Sequence, residues 1–256
     1  MARGSALVTG ASSGIGDAFA RQLAARGHDL IVVARNQARL EALAKELGEA
    51  HDVDVEVLAA DLTDEAALAD VAARAAGVDT LINNAGYGTF GSFHELALAP
   101  ELDMIQLNIA ALVKLTHVAL APMVERGGGG ILNVSSMAAF APSATFATYA
   151  ATKAFVTSFS QAVREEVRGT GVNVCVLMPG LTRTEFQDRA GVTGESKMPE
   201  QMWQTADEVA RAGLDGLDGG RATVVPGALN KATAAITGLT PDRVTRRIAA
   251  KLATQI

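Results

Sequence analysis

Short apolar runs alternate along the chain with longer stretches of helical composition. Ala6-Leu7-Val8-Thr9, stopped by Gly10, is the first such run. Leu30-Ile31-Val32-Val33, Val53 to Leu58, Leu81-Ile82-Asn83, Ile131-Leu132-Asn133-Val134, Val172 to Met178 and Thr223-Val224-Val225 follow it. Most lack polar alternation, as expected of strands covered on both faces. Helical composition fills the gaps at Ile15 to Arg26, Gln37 to Leu47, Glu65 to Ala75, Pro100 to about Pro122, and about Thr145 to Arg168. Thr205 with Glu208 forms a capping box ahead of a further helix. Strand, helix, strand, repeated, imposes right-handed crossovers. The pattern predicts an α/β fold: one doubly wound domain over residues 1–256, a seven-stranded parallel sheet with helices on both faces.

Composition narrows the function classes. The 256 residues carry 22 Lys+Arg against 28 Asp+Glu, a net charge of −6. No broad basic field offers itself to nucleic acid. The single cysteine, Cys175, lies in an apolar run and reads as core; it fits a reducing compartment, and the expected localisation is cytoplasmic. No apolar run reaches the ~20 residues of a membrane span, and the N-terminus shows no secretory cleavage site. The four histidines are scattered without ligand spacing, so no metal is expected.

The turn after the first run reads Thr9-Gly10-Ala11-Ser12-Ser13-Gly14-Ile15-Gly16. Gly10 permits a tight exit from the strand. Gly14 and Gly16 let backbone amides and the following helix approach a pyrophosphate closely. At the end of the second run, where an acid would bind the ribose hydroxyls of NAD, stand Ala34 and Arg35. A guanidinium pairs instead with a 2′-phosphate, which favours NADP(H) over NAD(H). Arg39, four residues on, reads first as a solvated helix charge and second as an assistant to Arg35.

Tyr149-Ala150-Ala151-Thr152-Lys153 places a phenol and an ammonium on one helix face. A free phenol has a pKa of about 10, and a neighbouring cation is expected to lower it. Ser136, just past the fifth run, offers a hydroxyl to a carbonyl oxygen that gains charge. In open α/β sheets ligands sit beyond the carboxyl ends of the strands. The glycine turn, Ser136 and the start of the Tyr149 helix all converge there.

These residues, with Asn83-Asn84-Ala85-Gly86 and Pro179-Gly180, stand in an order and spacing that resembles the short-chain dehydrogenase/reductase family over nearly the whole chain. The resemblance implies a Rossmann-type oxidoreductase acting on a carbonyl/alcohol pair. It implies Tyr149 as general acid or base, Lys153 as tuner of its pKa and ribose anchor, and Ser136 as the hydroxyl that orients the carbonyl. Asn108 matches a fourth catalytic position, expected to hold a water in a relay to Lys153; on residues alone it reads as a satisfied core amide. Ser12, Ser13, Ile15, Asp61, Leu62, Asn84, Ala85, Gly86, Thr182 and Thr184 match coenzyme contacts. Residues 185–205 match a substrate lid.

On the substrate side, Tyr87, Phe90, Phe93, Phe140, Phe146, Phe186 and Trp203, with Met198 and Met202, fall in loops beside these motifs. With Tyr149, eight of the eleven aromatics (8 Phe, 2 Tyr, 1 Trp) lie in those stretches. An apolar or aromatic ketone is therefore expected. The helix from Leu102 to Leu120 is apolar nearly all round, which suggests a partner subunit on the side away from the sheet, as a homodimer or homotetramer. Two other readings stand beside this one. A 3-oxoacyl-carrier-protein reductase would use Arg126 and Arg168 to meet an acidic carrier. A nucleotide-binding regulator would bind coenzyme without turnover. Arg243, Arg246, Arg247 and Lys251 read as a solvated helix face rather than a membrane contact.

Overall fold

The computed structural model of the chain describes residues 4–192 and 198–239. The basic C-terminal group from Arg243 to Lys251 and the central part of the expected lid, 193–197, lie outside these. The strands are β1 Ser5–Thr9, β2 Asp29–Ala34, β3 Val55–Ala59, β4 Thr80–Asn83, β5 Gly129–Val134, β6 Val172–Leu177, β7 Thr182–Arg183, β8 Gln204–Thr205 and β9 Thr223–Val224. Seven of them form one sheet in the order β3-β2-β1-β4-β5-β6-β9. Every pairing is parallel, with Leu7 facing Ile31 on one side and Leu81 on the other.

The helices are α1 Gly14–Ala25, α2 Gln37–His51, α3 Glu65–Ala75, α4 Leu98–Ile105, α5 Leu112–Glu125, α6 Ala147–Glu166, α7 Phe186–Arg189, α8 Ala206–Asp218 and α9 Ala228–Leu239. They divide the core in two. Ala6 and Val8 of β1 face Phe19 of α1 and Leu214 of α8, while Leu7 joins Val71 of α3 and Leu115 of α5 on the other face. Period-two alternation along a strand makes this division. It also explains why the apolar runs are continuous. The expected doubly wound sheet is present. The capping box at Thr205 is formed, Glu208 N meeting Thr205 Oγ1 at 3.2 Å and Thr205 N meeting Glu208 Oε2 at 2.9 Å.

Three features depart from the sequence pattern. The helix expected from Pro100 to about Pro122 is continuous from Leu98 to Glu125, but six residues, Gln106–Ala111, are wound as π-helix between α4 and α5. Its length and mean hydropathy of 1.6 match those of a membrane span. Of its buried side chains, Leu115 and Met123 face the sheet core. The short parallel pair β7–β8 and the helices α7 and α9 have no periodic signal long enough to read.

Strand order reverses at β1. The chain moves outward through β2 and β3, then returns to β4 on the opposite side of β1. The carboxyl ends of β1 and β4 thus form the crevice where ligands bind in such sheets.

Candidate active site

The turn after β1 shows why glycine recurs there. Gly10 holds a φ of 70°, in the left-handed region, and its N–H donates to Val33 O at 2.8 Å. A Cβ on Gly16 would lie 2.2 Å from Gly10 O and 2.5 Å from Asn84 Nδ2, so α1 can approach the turn only through a bare Cα. Ser13 at the N-cap of α1 makes no side-chain capping bond. The first-turn N–H groups of α1 are therefore left without a side-chain partner at the N-cap.

Asn84 braces this cradle rather than reaching outward: its Nδ2 donates to Thr9 O at 2.9 Å. Thr9 Oγ1 accepts from both Asn84 N and Ala85 N at 2.9 Å, which fixes the Asn84-Ala85-Gly86 loop to β1. Thr9 opens the glycine motif quoted from the sequence, but this bracing role of its hydroxyl was not read there.

Beyond β2, Ala34 is partly buried and Arg35 is 77% exposed, 3.9 Å from Asp61. Asp61 Oδ1 accepts from Thr63 N and Thr63 Oγ1, and these bonds hold its carboxyl below the usual range. The Leu62 side chain is buried in the core, so any coenzyme contact at that position comes from its backbone. Arg39 is half exposed on α2, as read, and is in addition paired. Its Nη1 lies 2.9 Å and 3.0 Å from the two oxygens of Glu185. Glycine cradle, uncapped helix terminus and exposed Arg35 together fit a phosphorylated dinucleotide.

The second cluster comes from β5 and α6. Ser136 caps the 3-10 turn Met137–Phe140, accepting from Ala138 N at 3.1 Å, and its hydroxyl is near enough to the Tyr149 phenol to draw its pKa down. Ser135 points away, donating to Lys153 O at 2.7 Å, as strand alternation requires. Thr145, just before α6, has a φ of 67°, an uncommon and costly state for a β-branched residue, and its carbonyl accepts from Gly91 N.

Lys153 Nζ donates to Val134 O at 2.8 Å and lies 5.8 Å from the centre of the Tyr149 ring. Burial pushes the Tyr149 phenol up to about 12 and the Lys153 ammonium down to about 8. The expected acidification of Tyr149 by Lys153 is therefore absent from this arrangement. Desolvation outweighs the one favourable contact, which is Ser136.

Asn108, in the π-helical segment, is buried. Its Nδ2 donates to Tyr87 O at 3.0 Å and Thr152 Oγ1 at 3.1 Å, and its Oδ1 accepts from Tyr87 N at 3.2 Å. It braces the loop after Gly86 against α6. A methyl group on Gly86 would lie 2.8 Å from Asn108 Oδ1 and 3.4 Å from Lys153 Nζ, so both groups face that backbone.

Pro179 O accepts from Met137 N at 2.9 Å, joining the Pro179-Gly180 turn to the Ser136 segment. Thr182 Oγ1 donates to Gly180 O at 3.1 Å, and Thr184 Oγ1 accepts from Phe186 N at 3.2 Å. Asn230 of α9, which the sequence did not single out, donates to Gln204 Oε1 and Pro226 O at 3.0 Å each and abuts Gly180.

Of the expected substrate-side aromatics, Phe146 and Phe186 flank Tyr149 at 5.9 Å and 5.3 Å between ring centres, and Phe90 meets Phe146 at 5.2 Å. Phe93 is exposed, and Trp203 instead carries Arg183 over its ring at 5.7 Å. Tyr87 donates to Pro100 O at 2.6 Å, outside that group of rings. Cys175 is fully buried, and its thiol is pushed up to about 12 by burial. Among the described residues no three His, Cys, Asp or Glu side chains gather as a metal site.

Comparison with known proteins agrees with this architecture. Residues 5–193 match the short chain dehydrogenase family. A short-chain dehydrogenase from Sphingobium yanoikuyae, solved in complex with NADPH, is 38% identical, covers 92% of this chain and 94% of its own, and superposes with a TM-score of 0.83. The bulky-bulky ketone specific alcohol dehydrogenase of Comamonas testosteroni is 34% identical over 92% of this chain and 93% of its own, with a TM-score of 0.78. Very-long-chain 3-oxoacyl-CoA reductase of Bos taurus is 34% identical over 209 residues, 78% of this chain; the match spans 66% of that protein's length. The chain belongs to the short-chain dehydrogenase family.

Proposed function

We propose that the protein is an NADP(H)-dependent oxidoreductase that interconverts a ketone or aldehyde and an alcohol, on an apolar or aromatic substrate. The observation that carries this reading is the placement of the Tyr149 phenol. It lies beside Ser136, with Lys153 Nζ 5.8 Å from its ring centre, at the sheet end that also holds the glycine cradle. Arg35, exposed at the end of β2, supports the phosphorylated coenzyme, as does the NADPH bound to the Sphingobium relative.

The coenzyme supplies or accepts the hydride. The protein supplies the proton and the geometry. With its pKa near 12, Tyr149 is protonated at neutral pH and stands ready to donate to a carbonyl oxygen. Ser136 donates to the same oxygen as charge develops on it. Lys153, poised near 8, exchanges a proton close to neutrality, and Asn108 holds the adjoining loop in place. The resemblance adds a ribose contact for Lys153 and a water held by Asn108, and both belong to the proposal.

The rings of Phe90, Phe146 and Phe186 around Tyr149 support an apolar substrate. The substrate lid that the resemblance implies over 185–205 belongs to this proposal. Arg126 and Arg168, offered above as a carrier-protein contact, precede β5 and β6 and so lie at the amino ends of the strands, opposite the site. Arg126 is bonded to Val78 O and Arg168 to Glu165. A 3-oxoacyl thioester stays as the second reading on the strength of the bovine relative. The complete Ser136, Tyr149 and Lys153 set speaks against a regulator without turnover.

Leu98, Leu102 and Ile105 of α4 lie exposed, 64% and 54% for the first two, as does Phe155 of α6, a helix that contacts α4. We assign this face to a second copy of the chain, in a homodimer or homotetramer, and the compartment to the cytoplasm. A panel of alkyl, aryl and 3-oxoacyl-thioester ketones, followed by NADPH absorbance, tests the activity. Turnover of apolar or aryl ketones is expected. No oxidation of NADPH across the panel would contradict it.

A further inference from the structure

One ion pair crosses the mouth of the coenzyme groove and has no part in the chemistry above. Arg39, in the first turn of α2, holds both carboxylate oxygens of Glu185 at 2.9 and 3.0 Å. Glu185 also accepts from Arg189, one turn along α7, at 2.5 Å. It directly follows Thr184, whose Cγ2 would meet a Cβ on Gly14 at 3.1 Å. The segment Thr184-Glu185 thus runs from the glycine turn to the start of α2, across the ground between the phosphate cradle and Arg35.

The local charge balance shows what this pair does to a 2′-phosphate. Arg35 is paired there with Asp61 and Arg39 with Glu185, which Arg189 also engages, so neither Arg35 nor Arg39 is unpaired toward a new anion. A phosphate carrying close to two negative charges gains little from such a site unless a carboxylate withdraws. Asp61 is fixed, since its Oδ1 accepts from both Thr63 N and Thr63 Oγ1. Glu185 is free to let go. It is half exposed and would keep Arg189, its neighbour on α7, after releasing Arg39. Exposed carboxylate pairs are weak, and a guanidinium prefers the denser charge and matching fork of a phosphate.

We propose that Arg39 is a second receptor for the coenzyme's 2′-phosphate and that Glu185 is its internal competitor, so that Glu185 sets how sharply the protein distinguishes NADP(H) from NAD(H). The proposal rests on the coenzyme reading given above. NAD(H), lacking the phosphate, leaves the Arg39–Glu185 pair closed. NADP(H) opens it.

The test is fluorescence titration of the full chain with NADPH and with NADH, for wild type, Arg39→Gln, Glu185→Gln and the double variant. Thermal melting confirms that each is folded. Glu185→Gln is expected to tighten NADPH several-fold and leave NADH unchanged. Arg39→Gln is expected to weaken NADPH about tenfold, the size of one charge-assisted hydrogen bond, again sparing NADH. The double variant should match Arg39→Gln alone. Equal effects on both coenzymes, or an unmoved NADPH affinity in Glu185→Gln, would overturn the proposal. A wild type that binds NADPH no better than NADH would overturn the coenzyme reading itself, and this proposal with it.

Discussion

The ammonium of Lys153 donates to the carbonyl oxygen of Val134 across 2.8 Å, so the last residue of β5 holds the cation that serves the site. Burial there lowers the Lys153 pKa to about 8, well below that of the unfolded chain. Between pH 8 and about 10 the unfolded chain binds more protons than the folded one, and stability rises with pH, by up to ~1.4 kcal/mol per unit. Tyr149, raised to about 12, acts in the opposite sense: from about pH 10 upward the unfolded phenol ionises first and stability falls. Denaturant midpoints across this range should show the rise in wild type and lose it in Lys153→Met. An equal slope in both would remove Lys153 as its source.

Arg35→Ala should raise the KM for NADPH about tenfold or more and that for NADH hardly at all. The guanidinium is exposed and engages the protein only through Asp61, 3.9 Å away, so its loss leaves the fold intact. Equal changes in both constants would sink its assignment to the 2′-phosphate.

Gly16→Ala places a methyl carbon 2.2 Å from the Gly10 carbonyl. The contact is backbone on backbone, so no rotamer relieves it. We expect a loss of about 1–3 kcal/mol in stability together with strongly weakened coenzyme binding. Wild-type affinity in this variant, measured by titration, would mean that α1 can move away from the turn at no cost.

Leu102→Asp puts a charge in the centre of the exposed α4 face. Sedimentation should show the wild type as a dimer or tetramer and the variant shifted toward monomer. A wild type that sediments as a monomer would refute the proposed subunit contact.

Much of this was legible from the chain because the relevant signals are local. Buried strands announce themselves as apolar runs, and a capping box needs only Thr205 and Glu208. The glycine spacing from Gly10 to Gly16 reflects contacts within one turn. What stayed hidden depends on residues far apart. Arg39 and Glu185 meet across 146 positions, and nothing near either one marks the other. Asn230 reaches Gln204 and Gly180 only because α9 folds back over the site. The pKa of Tyr149 was misjudged for a related reason. Helical spacing placed Lys153 near the phenol, but desolvation by burial is a property of the assembled site.

The most direct test of the account is Tyr149→Phe, assayed for NADPH oxidation with a ketone that the wild type reduces and, in parallel, for NADPH binding. The substitution removes one oxygen and keeps the ring among Phe146, Phe186 and Gly88. Turnover should fall by roughly 10²–10⁴-fold while NADPH affinity stays within a few-fold of wild type. Turnover close to wild type, with binding intact, would show that the proton comes from another group.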